Sequence, residues 1–411
     1  MTQGPRENGA KSQIALGPFS VDLASLRLRR NGADVAVRPR AFRVLQVLLQ
    51  HPGRVVEYQQ LMREAWDGLQ VSHHTLVVTV NELKDALGEY GSWIICRPRF
   101  GYSLEVPASD DLIRRGWHFC NLFTRIGFEK GLRCFQEAAE QGGADFRAFQ
   151  AISNAYLLLG SFLIRPPREN HRGFRKAHAR AVALCGLTPE LRLDYAFSRF
   201  IFELNTADAE AELLSLQREK PEIADLYVRL SLVQAAAGRL DEALCTIRQA
   251  EAADALLAPL AFVSTTLHLF RGDFEQAAVS GRNAVELHPS SPVGRADYAA
   301  ALEFSGRLDE ALAQYRLASS MAPDIPWIRA REGMCLMKSG RKAEAFEIRE
   351  GLERQRKTEY VDAYHLAVLS AALNKREEAL AELKRAREEK SWSISLLNVD
   401  PKAEALRAML K

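Results

Sequence analysis

The residues best suited to chemistry in this 411-residue chain are its six cysteines and nine histidines, which elsewhere ligate metals or act as nucleophiles and bases. Their spacing argues against such roles. Cys96, Cys120, Cys134, Cys185, Cys245 and Cys335 contain no C-x-x-C pair, so neither a zinc site nor a redox dithiol is expected. The histidines keep no spacing with carboxylates or cysteines that would mark a catalytic or metal constellation. A phosphate loop, G-x-S-x-G, H-E-x-x-H and the dinucleotide fingerprint are all missing from the sequence. The expectation is a chain that is not an enzyme and takes no cofactor or metal. The scattered thiols suit a reducing cytoplasm better than a disulfide framework.

Binding is the chemistry that remains, and composition sets its limits. Apolar residues make up 47% and charged residues 26%, enough for large cores and unlike a disordered chain. No apolar run approaches the roughly 18 residues that cross a bilayer. The opening MTQGPRENGAKSQ has no apolar segment of the kind a signal peptide needs. Residues 1–13 are expected to be a disordered tail, and no membrane partner is expected. Net charge is +3, and residues 1–108 hold thirteen Lys/Arg against ten Asp/Glu. The whole basic surplus therefore sits in the first quarter, which by itself is weak evidence for nucleic acid.

The strongest pattern is a repeat. Gly238, Gly272, Gly306, Gly340 and Asn374 stand 34 residues apart, each followed five residues later by Ala243, Ala277, Ala311, Ala345 or Ala379. Gly and Asn tolerate the left-handed conformation that ends a helix. An acidic residue follows near the start of the next helix, where the dipole favours it. Alanine fits where two helices cross too closely for a larger side chain. A second small column precedes each alanine by twelve residues: Ser231, Thr265, Ala299, Gly333 and Ala367. Pro289 and Pro323 close two units, and Ala209 and Pro221 extend the register backwards. Before them, EKGLRCFQEAAEQGGADFRAFQAISNAYLLLGS reads as helix, Gly-Gly turn, helix, and RPPRENHRGFRKAHARAVAL as a proline-broken loop entering another helix.

This array resembles the tetratricopeptide repeat (TPR), most clearly over residues 222–391. Extended to residue 110 it predicts an all-α superhelix of seven to eight units, with residues 392–411 departing from the pattern as a capping segment should. The resemblance implies that the first helix of each unit lines a concave face presenting Phe262, Phe270, Phe304, Trp327, Met334, Met337 and Tyr364. Aromatics and methionines there suit an apolar or amphipathic peptide or protein. The other reading left open is that several of them belong to inter-helix core or contact the neighbouring domain, since a superhelix this long can bury its own groove.

The first hundred residues read differently. GPFSVDLASLRLRRNGADVAV alternates around Asn31-Gly32, a hairpin signal. RPRAFRVLQVLLQHPG carries Phe42, Leu45, Leu48 and Leu49 at helical spacing. VVEYQQLMREAW predicts a second short helix, and SHHTLVVTVNELKDALG a third, with Ser72 as N-cap and Leu76, Val80, Leu83 and Leu87 on one face. WIICRPRFGYSLEV closes as a hairpin.

Strands, three helices and a terminal basic hairpin describe an α+β winged helix over residues 14–107. Gly32, Pro39, Phe42, HPGRVV at 51–56, Leu61, Trp66, Leu83-Lys84, Ala86-Leu87-Gly88 and Arg99-Phe100-Gly101-Tyr102 resemble the OmpR/PhoB family in order and spacing. Its N-terminal placement is similar to the ToxR/CadC arrangement and to HilA-like regulators that carry TPRs; those with a transmembrane segment differ from this chain, in which none is expected. The resemblance implies a third helix in the major groove of double-stranded DNA and a wing at the minor groove. The helix would present His73, His74, Thr75, Val78, Thr79, Asn81, Glu82 and Lys84; the wing would present Arg97 and Arg99.

Two departures stand out. Glu82 and Asp85 occupy positions where relatives often carry basic residues. A carboxylate repels phosphate, although Glu can accept from the cytosine amino group. Binding as a homodimer on tandem half-sites would compensate for a weak monomer. The expected function is a cytoplasmic transcription regulator controlled through its TPRs. The alternative is a TPR interaction scaffold whose winged helix no longer binds DNA.

Overall fold

The computed structural model describes residues 13–16, 19–23, 25–30, 33–106, 108–141, 145–254 and 257–411. The expected N-terminal tail up to residue 12, the Asn31-Gly32 turn and the Gly142-Gly143 turn lie outside them. The chain divides near residue 115 into two compact units.

The first unit opens with a four-stranded antiparallel sheet of β1 (Gln13–Leu16), β2 (Phe19–Asp22), β3 (Arg27–Arg30) and β4 (Ala33–Val35), in that order. Phe19, Val21 and Leu28 turn inward from it. Helix α1 (Pro39–Gln50) starts with proline at its first position, where a missing N–H is harmless. It buries Phe42, Leu45 and Leu48, each such side chain contributing about 1.5–3 kcal/mol.

The expected second helix is shorter than the sequence pattern suggested. Val55–Glu57 forms β5, and only Tyr58–Ala65 forms α2. β-Branched valines suit the strand, and β7 (Gly101–Leu104) supplies its ladder partners, with Val56 opposite Tyr102. β6 (Ile94–Arg97) pairs with the other side of β7.

Helix α3 (His73–Leu87) begins where Ser72 Oγ accepts from the Thr75 N–H at 3.2 Å. Its Leu76, Val80, Leu83 and Leu87 stripe is wholly buried against the α1 face, leaving the opposite face outward.

The second unit is helical. α4 (Ala108–Cys120) enters it and α5 (Arg125–Gln141) packs back on that end: a Cβ on Gly116 would come within 2.2 Å of the Phe135 ring. The hairpins α6 (Phe146–Ser161)/α7 (Pro167–Cys185) and α8 (Pro189–Glu203)/α9 (Thr206–Glu219) follow. Next come α10 (Ala224–Ala236)/α11 (Leu240–Ala253) and α12 (Ala258–Arg271)/α13 (Phe274–Leu287). The series continues through α14 (Pro292–Phe304)/α15 (Leu308–Met321), α16 (Pro326–Lys338)/α17 (Lys342–Gln355) and α18 (Ala363–Ala372)/α19 (Arg376–Glu389). A short α20 (Glu404–Leu410) ends the chain.

The 34-residue register is a backbone register. Gly238, Gly272, Gly306, Gly340 and Asn374 all have φ between 59° and 89°. The next N–H in each case bonds back across the turn: Arg239 to Gln234, Asp273 to His268, Arg307 to Leu302, Arg341 to Leu336 and Lys375 to Ser370, all at 2.9–3.0 Å. These are Schellman closures, which satisfy carbonyls that the helix end leaves orphaned. All five column alanines are fully buried. Ser231, Thr265, Ala299, Gly333 and Ala367 are buried opposite them. The result is a TPR-like superhelix, as the repeat columns predict.

The superhelix also closes on itself through the α6–α7 turn. The Trp327 indole N–H donates to the Phe162 carbonyl at 3.0 Å and Trp392 donates to the Ser161 carbonyl at 3.1 Å; separately, Arg125 Nε at the start of α5 donates to the Asp324 carbonyl at 3.0 Å. Residues 392–411 do more than cap the array. The Trp392 ring meets Phe200 edge-on at 5.8 Å, and Ala403 and Leu406 are fully buried. The segment packs inward because its apolar residues find an uncovered concave wall.

Candidate functional site

The outward face of α3 carries His73, His74, Thr75, Val78 and Asn81, all exposed. Val78 is 42% exposed, and a valine there is suited to contact with a thymine methyl. The His73 ring stands edge-on to Tyr58 at 4.6 Å, so its orientation is set by α2. Lys84 is half-buried at the far end.

Thr79 requires a correction. It is buried, and its hydroxyl donates to the Thr75 carbonyl at 2.9 Å. Residue 79 falls three after Leu76 and one before Val80, which turns it toward the core rather than toward a ligand.

Glu82 is not a bare carboxylate. The Arg38 guanidinium, just ahead of α1, donates to its Oε1. The repulsion of phosphate expected from the sequence is thus largely cancelled. Asp85 is exposed.

On the wing, Arg97 donates to Glu105 Oε1 at 2.9 Å, and Ser103 Oγ donates to the same oxygen at 2.6 Å. Ser103 and then Arg97 hold the Glu105 carboxyl below the usual range. Arg97 is therefore partly committed within its own hairpin. Arg99 sits at the tip with φ of 71°, exposed, in a turn closed by Phe100 N–H to the Arg97 carbonyl at 2.9 Å. Phe100 is 68% exposed beside it. Gly101 permits the turn: a Cβ there would lie 1.9 Å from the Val56 carbonyl. Arg38 and Phe100 were missed by sequence reasoning. An exposed aromatic in a basic turn was a usable signal for Phe100; nothing in the sequence pairs positions 38 and 82.

Residues 32–104 match the family model described as "Transcriptional regulatory protein, C terminal". The N-terminal unit carries an OmpR/PhoB-type domain. Similar proteins include the transcriptional regulatory protein CutR of Streptomyces coelicolor, 38% identical over 107 residues, 24% of this chain and 48% of CutR. PrrA of Mycobacterium leprae is 36% identical over 78 residues, 19% of this chain and 33% of PrrA. The transcriptional activator CadC of Escherichia coli is 26% identical over 98 residues, 23% of this chain and 19% of CadC. The chain thus spans less than half the length of each of these relatives, and the likeness falls on the OmpR/PhoB-type domain. Among solved structures, a monomeric mutant of IFIT1 with m7Gppp-AAAA is 14% identical with a TM-score of 0.54, covering 89% of this chain and 84% of that one. That likeness is one of fold. A thermophilic TPR protein of Thermus thermophilus is 26% identical over 45% of this chain and 98% of its own, with a TM-score of 0.39.

The second site is the concave wall behind this domain in the sequence. Phe262, Phe270, Trp327 and Tyr364 line a common cavity of about 210 Å³. Phe304, Met334 and Met337 do not line it: Met334 is core, and the Phe304 ring carries the Lys338 ammonium at 3.4 Å. Three of the seven expected groove residues therefore lie outside the cavity. Trp327 and Tyr364 are also buried, with the Tyr364 hydroxyl 3.5 Å from Asp400.

A further 34-residue column, polar at four of its five positions, runs through this wall. Arg229, Val263, Asp297, Arg331 and His365 stand 34 apart, two residues before the small column, and all line the cavity. Arg229 bonds Asp194 at 2.8 Å and Asp225 at 2.7 Å. Arg331 bonds Asp297 at 2.6 Å and lies 4.4 Å over the Trp327 ring. His365 Nδ1 is 2.7 Å from Asp362. Burial pushes the Asp194 and Asp297 carboxyls up against the pull of these arginines. Lys402, buried beside Asp400, is lowered by burial to about 8. The same 34-residue spacing that revealed the alanines was available for these residues.

Among the described residues no helix is long and apolar enough to cross a membrane, and no group of three or more His, Cys, Asp or Glu is placed to hold a metal.

Proposed function

We propose that this chain is a DNA-binding transcription regulator, in which α3 and the wing engage promoter DNA and the superhelix takes up the protein, peptide or small effector that controls it. Its role is binding rather than catalysis. The observation that carries the reading is the outward face of α3. There His74, Thr75, Val78 and Asn81 are exposed and Glu82 is neutralised by Arg38. Donors, acceptors and an apolar contact on one helix face are what base edges require, and Arg99 at the wing tip supplies charge for a phosphate or a narrow minor groove. Two copies on tandem half-sites would give the affinity that one modestly basic domain lacks.

The test is selection from a random duplex pool by the purified full chain at low ionic strength. Enrichment of a sequence motif supports the reading. Recovery no better than with His74→Ala/Asn81→Ala protein contradicts it and leaves the interaction scaffold in its place.

A further inference from the structure

We propose that the cavity on the concave wall of the superhelix binds a small organic cation with an aromatic or apolar body, an arylalkylamine in chemical class. This deepens the reading of the superhelix as the controlling arm and rests on it for any consequence at DNA, but the binding itself needs no DNA.

Size suits a small ligand. The cavity measures about 210 Å³, whereas a site of roughly 150 Å³ already holds benzene. There is room for one ring and a short polar arm. An extended peptide has no open trough to follow, because residues 392–411 pack along the wall and the α6–α7 turn closes across it.

The lining fixes the apolar part. Phe123 and Phe262 meet edge-on at 5.2 Å, and Phe123 meets Phe162 at 5.7 Å. The cavity also takes in Phe270. Two other rings of the wall, Phe197 and Trp327, already have an internal cation above them, Arg229 at 5.2 Å and Arg331 at 4.4 Å. The wall is thus already a surface on which cations rest over aromatic faces.

Charge fixes the polar part. Arg331 is matched by Asp297 and Lys402 by Asp400. Arg229 faces two carboxylates, Asp194 and Asp225. Asp194 is buried and holds one arm of the guanidinium. Asp225 is a third exposed at its side chain and lines the cavity, and its Oδ2 alone meets Arg229. Asp225 thus keeps acceptor capacity at the cavity wall. An ammonium there gains a charge-assisted hydrogen bond, a hydroxyl only the weaker neutral-donor kind, and a carboxylate is repelled.

The test is calorimetric titration of the full chain near neutral pH with three probes sharing one ring: phenethylamine, phenethyl alcohol and hydrocinnamate. The amine is expected to bind at least tenfold more tightly than the alcohol, and the carboxylate more weakly than either. Asp225→Asn should reduce the amine's advantage to under threefold while leaving the alcohol within twofold, since Asp194 still holds Arg229. Thr266→Phe, which fills the cavity, should abolish binding of both with helical circular dichroism unchanged. Equal affinity of amine and alcohol, tighter binding of the carboxylate, no binding by any probe, or binding that survives Thr266→Phe would each overturn the proposal. The titration contains no DNA, so its failure leaves the winged-helix reading standing, and failed motif selection leaves the cavity assignment standing.

Discussion

Arg38, immediately before α1, donates to the Glu82 carboxylate on the outward face of α3, across 44 positions of sequence. The side chain of Arg38 is 77% exposed, so the pair contributes little to stability, about 0–1 kcal/mol. Its consequence is at the surface, where it offsets the negative charge on the outward face of α3. Arg38→Ala should weaken DNA binding about three- to tenfold with almost no change in the unfolding midpoint. Glu82→Gln added to Arg38→Ala should restore most of that loss. Fluorescence anisotropy on a labelled duplex measures the cycle; additive effects of the two substitutions would mean the pair has no role at DNA.

The two wing arginines should differ. Arg99 is exposed at the tip, whereas Arg97 is held by Glu105. Arg99→Ala should weaken binding and lower the salt slope by roughly one unit, as loss of a phosphate contact does. Arg97→Ala should have the smaller effect on both. Equal slopes for the two variants would assign them the same role.

The repeat turns carry a backbone requirement that stability can read. Gly306 has φ of 79° with nothing within 4 Å of a built Cβ, so Gly306→Ala meets no steric neighbour and should cost only the left-handed penalty, about 1–2 kcal/mol. Asn374, at φ of 59°, fills the same role with a tolerated side chain. Asn374→Gly should therefore stabilise, by less than about 1 kcal/mol. Urea midpoints at constant m-value distinguish the two. A Gly306→Ala protein as stable as the parent would remove the turn's significance.

Acid should loosen the superhelix through its histidines. Burial lowers His171, His268 and His288 below the ordinary value. The folded chain then resists a proton that the unfolded chain accepts, so stability is full above the unfolded value of about 6.5 and falls as pH drops below it toward the lowered values. Urea midpoints between about pH 7.5 and 5.5 should decline, and less steeply in His268→Gln/His288→Gln protein. An equal decline in both would place the acid sensitivity elsewhere.

Much of this molecule was readable in advance because it is local. The Gly/Asn column, the buried alanines, the Ser72 cap and the α3 stripe each depend on neighbours within one or two turns, and periodicity reports such neighbours directly. The Val55–Glu57 strand was lost inside a helical pattern because its partner, Tyr102, comes 46 positions after Val56. Thr79 was misplaced because one residue of helical rotation separates the outward face from the core. The Arg38–Glu82 pair and the bonds from Trp327 and Trp392 to the α6–α7 turn join segments that no sequence period relates. The column from Arg229 to His365 was present in the sequence but mixes polar residues of both signs with a valine, so a search for recurring size did not expose it.

The OmpR/PhoB-type domain makes contact with phosphates the decisive quantity. The observed association constant of the full chain for one selected duplex should be followed as salt rises from about 50 to 200 mM. A linear fall in its logarithm, with a slope of several units, is predicted because each released phosphate counterion adds nearly one. Absence of binding at about 50 mM, or binding that ignores salt over that range, would contradict a DNA-binding role for this chain.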